Sequence, residues 1–444
     1  MLKVIKFHVI VVRHAQFTCR GLEIDTAAGL KFSKYYRCLV KDRHGHRHCS
    51  ANAREPDLPT IQQLRDQMID AGIAAWGKKN FDKTKICYPK RQDELPPRKM
   101  KDTFQEVMIP LSDAAVRQKY LNVFVGIRFG RLLEDMDTFA GVVCFKYLVP
   151  HISQMDPRRP VMMATALVDK ISLEKTPIAH DKDIKMLGYV SWCGSSSMEI
   201  TINLEQEKNE SWNKLLEARL LFVSRNVLTG GPAFVNPLQA EGLEEEKIML
   251  MGEARKKERI SEGQETLLKT PPNEQERQLI HNTFLQTMDP KSYTFRVRVK
   301  PDNSEWMENA RLKNLIVCFP EQKNINNKIF GGFLMRKAFE LAWVNATLFS
   351  KTRPTVCVVD DIVFRRPVEI GSLLFLSSQI VYTEGSKMQV FVHAEVVNPK
   401  DGSHKTTNDF HFTFDTELAD LKNVIPKTYA ESMLYLEGKR HFES

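Results

Sequence analysis

The sequence predicts an α+β fold made of two successive copies of one unit, each a long buried helix followed by antiparallel strands. Three observations carry this. The first is the stretch Ile325–Val344, INNKIFGGFLMRKAFELAWV, in which an Asn-rich turn and Phe330-Gly331-Gly332 open a helical pattern. With Phe333, Leu334, Met335, Ala338, Phe339, Leu341, Ala342 and Trp343, that helix is too apolar for a surface and belongs in a core. The second is an earlier counterpart, Phe129-Gly130-Arg131-Leu132-Leu133, which opens a helix in the same way. The third is the shared order of what surrounds the two helices. Thr103–Pro110 and Leu315–Pro320 are strands ending in proline, Val168-Asp169-Lys170-Ile171 matches Val359-Asp360-Asp361-Ile362, Gly194–Ile200 matches Gly385–Val390, and Leu220–Val223 matches Phe410–Phe414 as a late strand.

The offsets fit one ordered duplication: 332 − 130 = 202 at the helix start, 361 − 169 = 192 at the aspartate, and 388 − 198 = 190 at the methionine. The drop of ten after the helix places a longer connection in the first copy, supplied by residues 146–160, KYLVPHISQMDPRRP. Symmetry at this scale predicts two homologous domains rather than a solenoid.

In chain order, residues 1–54 stand apart. They hold eleven Lys/Arg and three Asp/Glu, with Glu23 the first acid. A basic, acid-poor start resembles a mitochondrial targeting segment, and Lys6, His8 and Arg13 break up the short VIKFHVIVV run that a signal peptide would need. The expected location is the mitochondrion, in the matrix or associated with the inner membrane. His44, His46, His48 and Cys49 are crowded into this segment with no second ligand cluster after them, so they are read as incidental and no metal site is expected. Residues 55–97 are a short amphipathic helix (Leu58, Ile61, Leu64, Met68, Ile69) and a charged linker with Pro89, Pro96 and Pro97. Residues 98–240 form the first domain. Residues 241–290 are a helical linker whose first helix places acids before bases, as the helix dipole favours. Residues 291–424 form the second domain, and 425–444 a C-terminal amphipathic helix.

Composition narrows the chemistry. Of 444 residues, 42% are hydrophobic and 27% charged, a globular balance. The eight cysteines form no C-x-x-C pair, which argues against a zinc ribbon or disulfide framework. No apolar run approaches the roughly 18 residues that span a bilayer. The formal net charge of +9 favours anionic partners such as phosphate-bearing cofactors. Much of it lies in the N-terminal segment, so no nucleic-acid partner is expected. There is no G-x-S-x-G elbow, P-loop, G-x-G-x-x-G or H-E-x-x-H motif. Catalysis here would rest on carboxylates, amides and backbone donors.

Motifs in both copies resemble one family. Pro320 begins P-x-x-x-N-x-N-N-x-I-F-G-G-x-L-M, Asp361 begins D-I-V-F-R-R-P-V-E-I-G, and the first copy carries G-R-L-L-E-D-M-D from Gly130. Together with the helical linker and the ending PKTYAESMLYLEGKRHF, these resemble the tandem hotdog-fold acyl-CoA thioesterases over about residues 95–444. The resemblance implies two hotdog domains side by side, each a helix wrapped by a curved antiparallel sheet, with active sites between them at helix N-termini. It implies hydrolysis of acyl-CoA to fatty acid and coenzyme A, no further cofactor, and a homo-oligomer, on analogy a trimer of tandem units. A non-catalytic acyl-CoA-binding or regulatory protein on the same fold is the alternative.

The resemblance also assigns roles. Asp137, at the acidic position of the first helix, is the general base for water. The backbone at Gly331 and Gly332 polarises the thioester carbonyl, and an amide comes from the preceding turn, at Asn326 or Asn327. Lys328 stands where the family has Asp or Asn. In the reciprocal site the turn is Val125-Gly126-Ile127, and Phe339 occupies the acidic position with Glu340 one step further on. One step turns a helical side chain by about 100°, so that site is expected to be degenerate, with Glu340 its doubtful acid. Lys323, Lys328, Arg365 and Arg366 are candidates for the coenzyme A phosphates. Val359-Asp360-Asp361 is expected to shape a strand end.

Overall fold

The computed structural model describes residues 58–64, 66–67, 88–149, 161–174, 177–292, 294–324, 327–399 and 401–443. The chain from Leu58 onward forms one compact unit. The predicted targeting segment, its histidine cluster and Asn326 lie outside the described residues. No described helix is long and apolar enough to cross a membrane.

Two helices of equal length dominate, α1 (Phe129–Leu148) and α4 (Gly331–Ser350). Strand β1 (Gln105–Ile109) precedes α1. After α1 come β2 (Val161–Val168), the short β3 (Ile171–Leu173), β4 (Ile184–Cys193), β5 (Ser197–Lys208) and β6 (Ser211–Asn226). Helices α2 (Leu243–Glu265) and α3 (Glu274–Leu285) form the connection. The pattern then repeats: β7 (Arg311–Val317), α4, β8 (Thr355–Phe364), β9 (Leu373–Glu384), β10 (Lys387–Val397) and β11 (His404–Asp415), closed by α5 (Tyr429–Glu443).

The main strands join one sheet in the order β7-β9-β10-β11-β8-β2-β6-β5-β4-β1, with β3 pairing both β8 and β6. This order reads the same from either edge once each strand is replaced by its counterpart. The centre of the palindrome is the antiparallel β8–β2 pair, where Ile362 faces Val168 and Val363 faces Leu167. Strand alternation explains the core. Met198, Ile200, Ile202 and Leu204 of β5 turn one fully buried face inward, as do Met388, Val390, Val392 and Ala394 of β10. Helix α1 packs on the β2–β4–β5–β6 half of the sheet, α4 on β7, β9, β10 and β11, and the two helices pack on each other.

Covering helices bury part of the sheet's other face as well. α2 lies on β4 and α5 on β9, β10 and β11. Polar side chains there, including Glu199 and His411, are consequently buried. Asp360, expected near a strand end, instead sits within β8, beside a register shift between Asp360 and Val363. The C-terminal helix begins at Tyr429, following the short strand Asn423–Ile425.

Candidate active site

Both long helices start without a side-chain cap, at Arg128 for α1 and Phe330 for α4. The first backbone N–H groups of any helix lack intrahelical acceptors and carry the positive end of its dipole. At α4 that deficit is met from the other copy. Asp137, two turns into α1 and fully buried, accepts the Gly332 N–H on Oδ2 at 2.6 Å. Its Oδ1 accepts the Thr165 hydroxyl of β2 at 2.7 Å. Burial pushes the Asp137 carboxyl up to about 6, while the Thr165 and Gly332 donors pull it partly back. A carboxylate so held is ionised at neutral pH and positioned within one hydrogen bond of a helix N-terminus.

The two glycines work through space rather than through unusual dihedrals. A Cβ on Gly332 would lie 2.9 Å from both the Cα and the carbonyl oxygen of Glu134, backbone atoms of α1. On Gly331 it would lie 3.0 Å from Asp137 Oδ2 and 3.2 Å from the Phe364 ring. The glycines therefore permit the contact between the α4 start and α1.

The turn before α4 is organised by Asn324. Its N–H donates to the Lys328 carbonyl at 2.7 Å and its side-chain oxygen accepts the Lys328 N–H at 3.1 Å. Asn327 adopts φ 55°, in the left-handed region that asparagine tolerates better than most residues. The first copy builds the same turn 202 residues earlier. Asn122 N–H donates to the Gly126 carbonyl at 2.8 Å, Asn122 Oδ1 accepts the Gly126 N–H at 2.9 Å, and Val125 takes the left-handed place at φ 65°. A β-branched residue there is strained. Lys328, the departure from the family pattern, extends its ammonium to both carboxylate oxygens of Glu369, at 2.5 and 2.6 Å.

The reciprocal site has the same frame without the acid. Phe339 takes the position corresponding to Asp137, its ring 3.2 Å from where a Cβ on Gly130 would sit and 5.4 Å from the Phe129 ring centroid. Rings of Phe412 and Phe414 complete that cluster, at 5.5 and 5.7 Å from Phe339. Glu340 turns away, accepting from Arg128 Nε at 2.9 Å and lying 3.2 Å from Lys337 Nζ. A second carboxyl, Asp135, is buried on α1 and accepts the Tyr120 hydroxyl at 2.6 Å. Burial raises it to about 6, and Arg131 and Tyr120 act in the opposite sense.

The structure thus brings together Asp137, Gly331 and Gly332, with Asn327 four residues before Gly331. Thr165 was missed in the sequence, because one threonine in a short strand gives no sign of where it points. Of the phosphate candidates, Arg365 pairs with Asp409 at 2.9 Å, Arg366 lines an open cleft with Lys405 and Glu369, and Lys323 bridges to Ile329 within the turn.

No family model matches the chain. Acyl-coenzyme A thioesterase 9, mitochondrial, of Homo sapiens is 49% identical over 401 residues, covering 88% of this chain and 90% of that protein. Acyl-coenzyme A thioesterase 10, mitochondrial, of Mus musculus is 46% identical over 358 residues, covering 80% and 81%. Among solved structures, an acyl-ACP thioesterase from Bacteroides thetaiotaomicron VPI-5482 aligns with a TM-score of 0.42 at 11% identity, over 71% of this chain and 99% of that one. With nearly half its residues shared along almost the whole of a curated relative, the chain belongs to the acyl-coenzyme A thioesterase 9 family.

Proposed function

We propose that this mitochondrial acyl-CoA thioesterase hydrolyses its substrate at one site, between the N-terminus of α4 and Asp137 of α1. The observation that carries this is the Gly332 N–H to Asp137 Oδ2 contact, which places a buried base beside backbone donors of another helix. The thioester carbonyl enters at the start of α4, where first-turn N–H groups, Gly331 among them, stabilise the developing oxyanion. Gly332 N–H and the Thr165 hydroxyl orient the carboxylate. An amide of the 324–328 turn, at Asn326 or Asn327, holds the water or the carbonyl. Water attacks the carbonyl carbon as Asp137 takes its proton. The tetrahedral intermediate then collapses, the C–S bond breaks, and the coenzyme A sulfur leaves with the proton returned from Asp137. No covalent enzyme intermediate is required.

The fold reading belongs with this proposal. The palindromic sheet and paired helices support two tandem hotdog domains, 98–240 and 291–424, linked by 241–290 and followed by the helix in 425–444. Residues 1–54 are the targeting segment, and tandem units assemble further into a homo-oligomer, a trimer on the family analogy. Lys323, Lys328, Arg365 and Arg366 remain proposed contacts for the coenzyme A phosphates. The test is thiol release from a panel of short to long acyl-CoAs by the wild type and Asp137→Ala. Turnover lost with Asp137 supports the proposal. Acyl-CoA binding with no turnover in the wild type would favour a non-catalytic binding protein instead.

A further inference from the structure

The two long helices also meet at a charged pair that the mechanism above does not use. Arg336 Nη1 of α4 lies 3.2 Å from Glu134 Oε2 of α1. The two side chains are 18% and 14% exposed, so the pair is largely buried and water screens it poorly. Arg131, one turn back on α1, donates from Nη1 to the same Glu134 oxygen at 2.8 Å.

The pair holds a special place in the duplication. Glu134 and Arg336 are 336 − 134 = 202 residues apart, the offset that relates Gly130 to Gly332. They are therefore counterparts, and a residue meets its own counterpart only at the axis that relates two copies. The glycines pack accordingly. A Cβ on Gly130 would lie 3.3 Å from Arg336 Cγ and 3.4 Å from the Arg336 carbonyl oxygen, as one on Gly332 would lie 2.9 Å from the Cα and carbonyl oxygen of Glu134. Two identical copies would set Glu against Glu or Arg against Arg at this point. The diverged copies set opposite charges together.

Glu134 precedes Asp137 by three residues and Arg336 follows Gly332 by four, so each stands one turn from its neighbour on the same helix face. The Gly332–Asp137 hydrogen bond and the Arg336–Glu134 pair are consequently adjacent struts between α1 and α4. One strut fixes a distance, and two also resist rotation of the α4 start on α1. Charge acts in the same sense. Asp137 faces the Thr165 hydroxyl from β2 and the Gly332 N–H from α4. On its own helix it feels Glu134, whose negative charge disfavours its ionisation, while burial keeps the Cys144 thiol further along α1 protonated. Glu134 in turn faces Arg131 from α1 and Arg336 from α4, and Arg336 also attracts the Asp135 carboxylate.

Taking Asp137 as the base, on which this inference rests, we propose that Arg336 is a positioning residue for the hydrolysis. Through Glu134 it holds the start of α4 in place over Asp137 and cancels the acid one turn from that base. Arg336 touches neither the water nor the thioester in this role. Its contact with Glu134 is made by one nitrogen, so a lysine ammonium can substitute for the guanidinium. A methionine cannot, and it leaves a largely buried carboxylate short of a partner.

The test is the pH profile of kcat/KM for thiol release by the full chain. It compares the wild type with Arg336→Met, Arg336→Lys, Glu134→Gln and the double variant Glu134→Gln/Arg336→Met, each checked for folding by circular dichroism. Arg336→Met is expected to move the acid limb up by about half a pH unit or more and to lower kcat severalfold at the plateau with KM unchanged. Arg336→Lys should restore the limb, and Glu134→Gln should move it down. In the double variant the upward shift should be gone, because an effect relayed by Glu134 needs Glu134. The position of the limb does not scale with the amount of active enzyme, so partial misfolding does not mimic the shift. A limb unmoved by Arg336→Met, an upward shift that persists in full without Glu134, or a change confined to KM would overturn the proposal. Turnover surviving in Asp137→Ala would overturn it together with the assignment of the base, whereas turnover lost there with the limb unmoved in Arg336→Met overturns the role of Arg336 alone.

Discussion

Asp137 Oδ2 and the Gly332 N–H meet at 2.6 Å across the interface between the two long helices, and no corresponding contact forms where Phe339 faces Gly130. The same frame therefore presents a carboxylate once and a phenyl ring once. Asp137→Ala is expected to lower kcat/KM for acyl-CoA by about 10² to 10⁴, the usual worth of a positioned base. Glu340→Ala removes the partner of Arg128 and should leave thiol release within about twofold, since a half-exposed ion pair away from Asp137 contributes little. A reversed ranking would move the working site to the other end of the helix pair.

The acid limb of the rate profile follows from the same carboxyl. Burial lifts Asp137 to about 6, and only its ionised form accepts a proton from water. Thiol release should be level above that pH and fall tenfold per pH unit below it. The Thr165 hydroxyl stabilises the ionised form. Thr165→Val should therefore move the acid limb to higher pH, which a purely structural role for Thr165 would not do.

Stability should respond in the opposite direction. The folded-state value of Asp137 lies above the ordinary 3.8, so the folded protein binds this proton more tightly than the unfolded chain. The cost of ionising it in the fold is absent below about pH 4, grows towards pH 6, and is full above that. It is on the order of 2–3 kcal/mol. Asp137→Asn keeps the shape and removes the charge. It should be inactive and yet unfold at the same or higher urea than wild type at pH 7.5, with the advantage vanishing near pH 4.

Much of this was legible because a duplicated chain states its design twice. The 202-residue offset that aligns Gly130 with Gly332 also aligns Asn122 with Asn324, and the structure gives those asparagines the same turn-closing bonds. The phenyl ring at the position matching Asp137 was legible too, since Phe339 lies 202 residues after it. What sequence could not supply was direction across the sheet. Thr165 and Asp360 look alike as polar residues in apolar strands, yet one meets Asp137 and the other His441. Lys328 was opaque for a related reason: its partner Glu369 is 41 residues away, and only the folded loops bring them together.

The phosphate candidates differ in how free they are to bind. Lys328 and Arg365 already hold Glu369 and Asp409, whereas Arg366 lines a cleft shared with Lys405. Arg366→Ala should raise KM for acyl-CoA severalfold with kcat unchanged, the pattern of uniform binding. The corresponding acyl-pantetheine, which lacks the nucleotide, should show no change. An equal loss on both substrates would remove Arg366 from phosphate recognition.

Gly130 and Gly332 are paired by sequence and separated by packing. At Gly332 a new Cβ would sit 2.9 Å from two backbone atoms of Glu134 and 2.6 Å from the Phe330 ring, so the start of α4 has to back away from α1. At Gly130 the nearest atoms are the Phe339 ring at 3.2 Å and Arg336 Cγ at 3.3 Å, side-chain atoms that can shift by a few tenths of an ångström. Overpacking of the first kind costs typically about 1–3 kcal/mol. Gly332→Ala should therefore lower the urea midpoint clearly and also depress kcat, because the displaced N–H no longer holds Asp137. Gly130→Ala should lower stability by less and leave kcat near wild type, because no carboxylate depends on the start of α1. Equal losses of kcat in the two variants would mean that both helix starts serve catalysis.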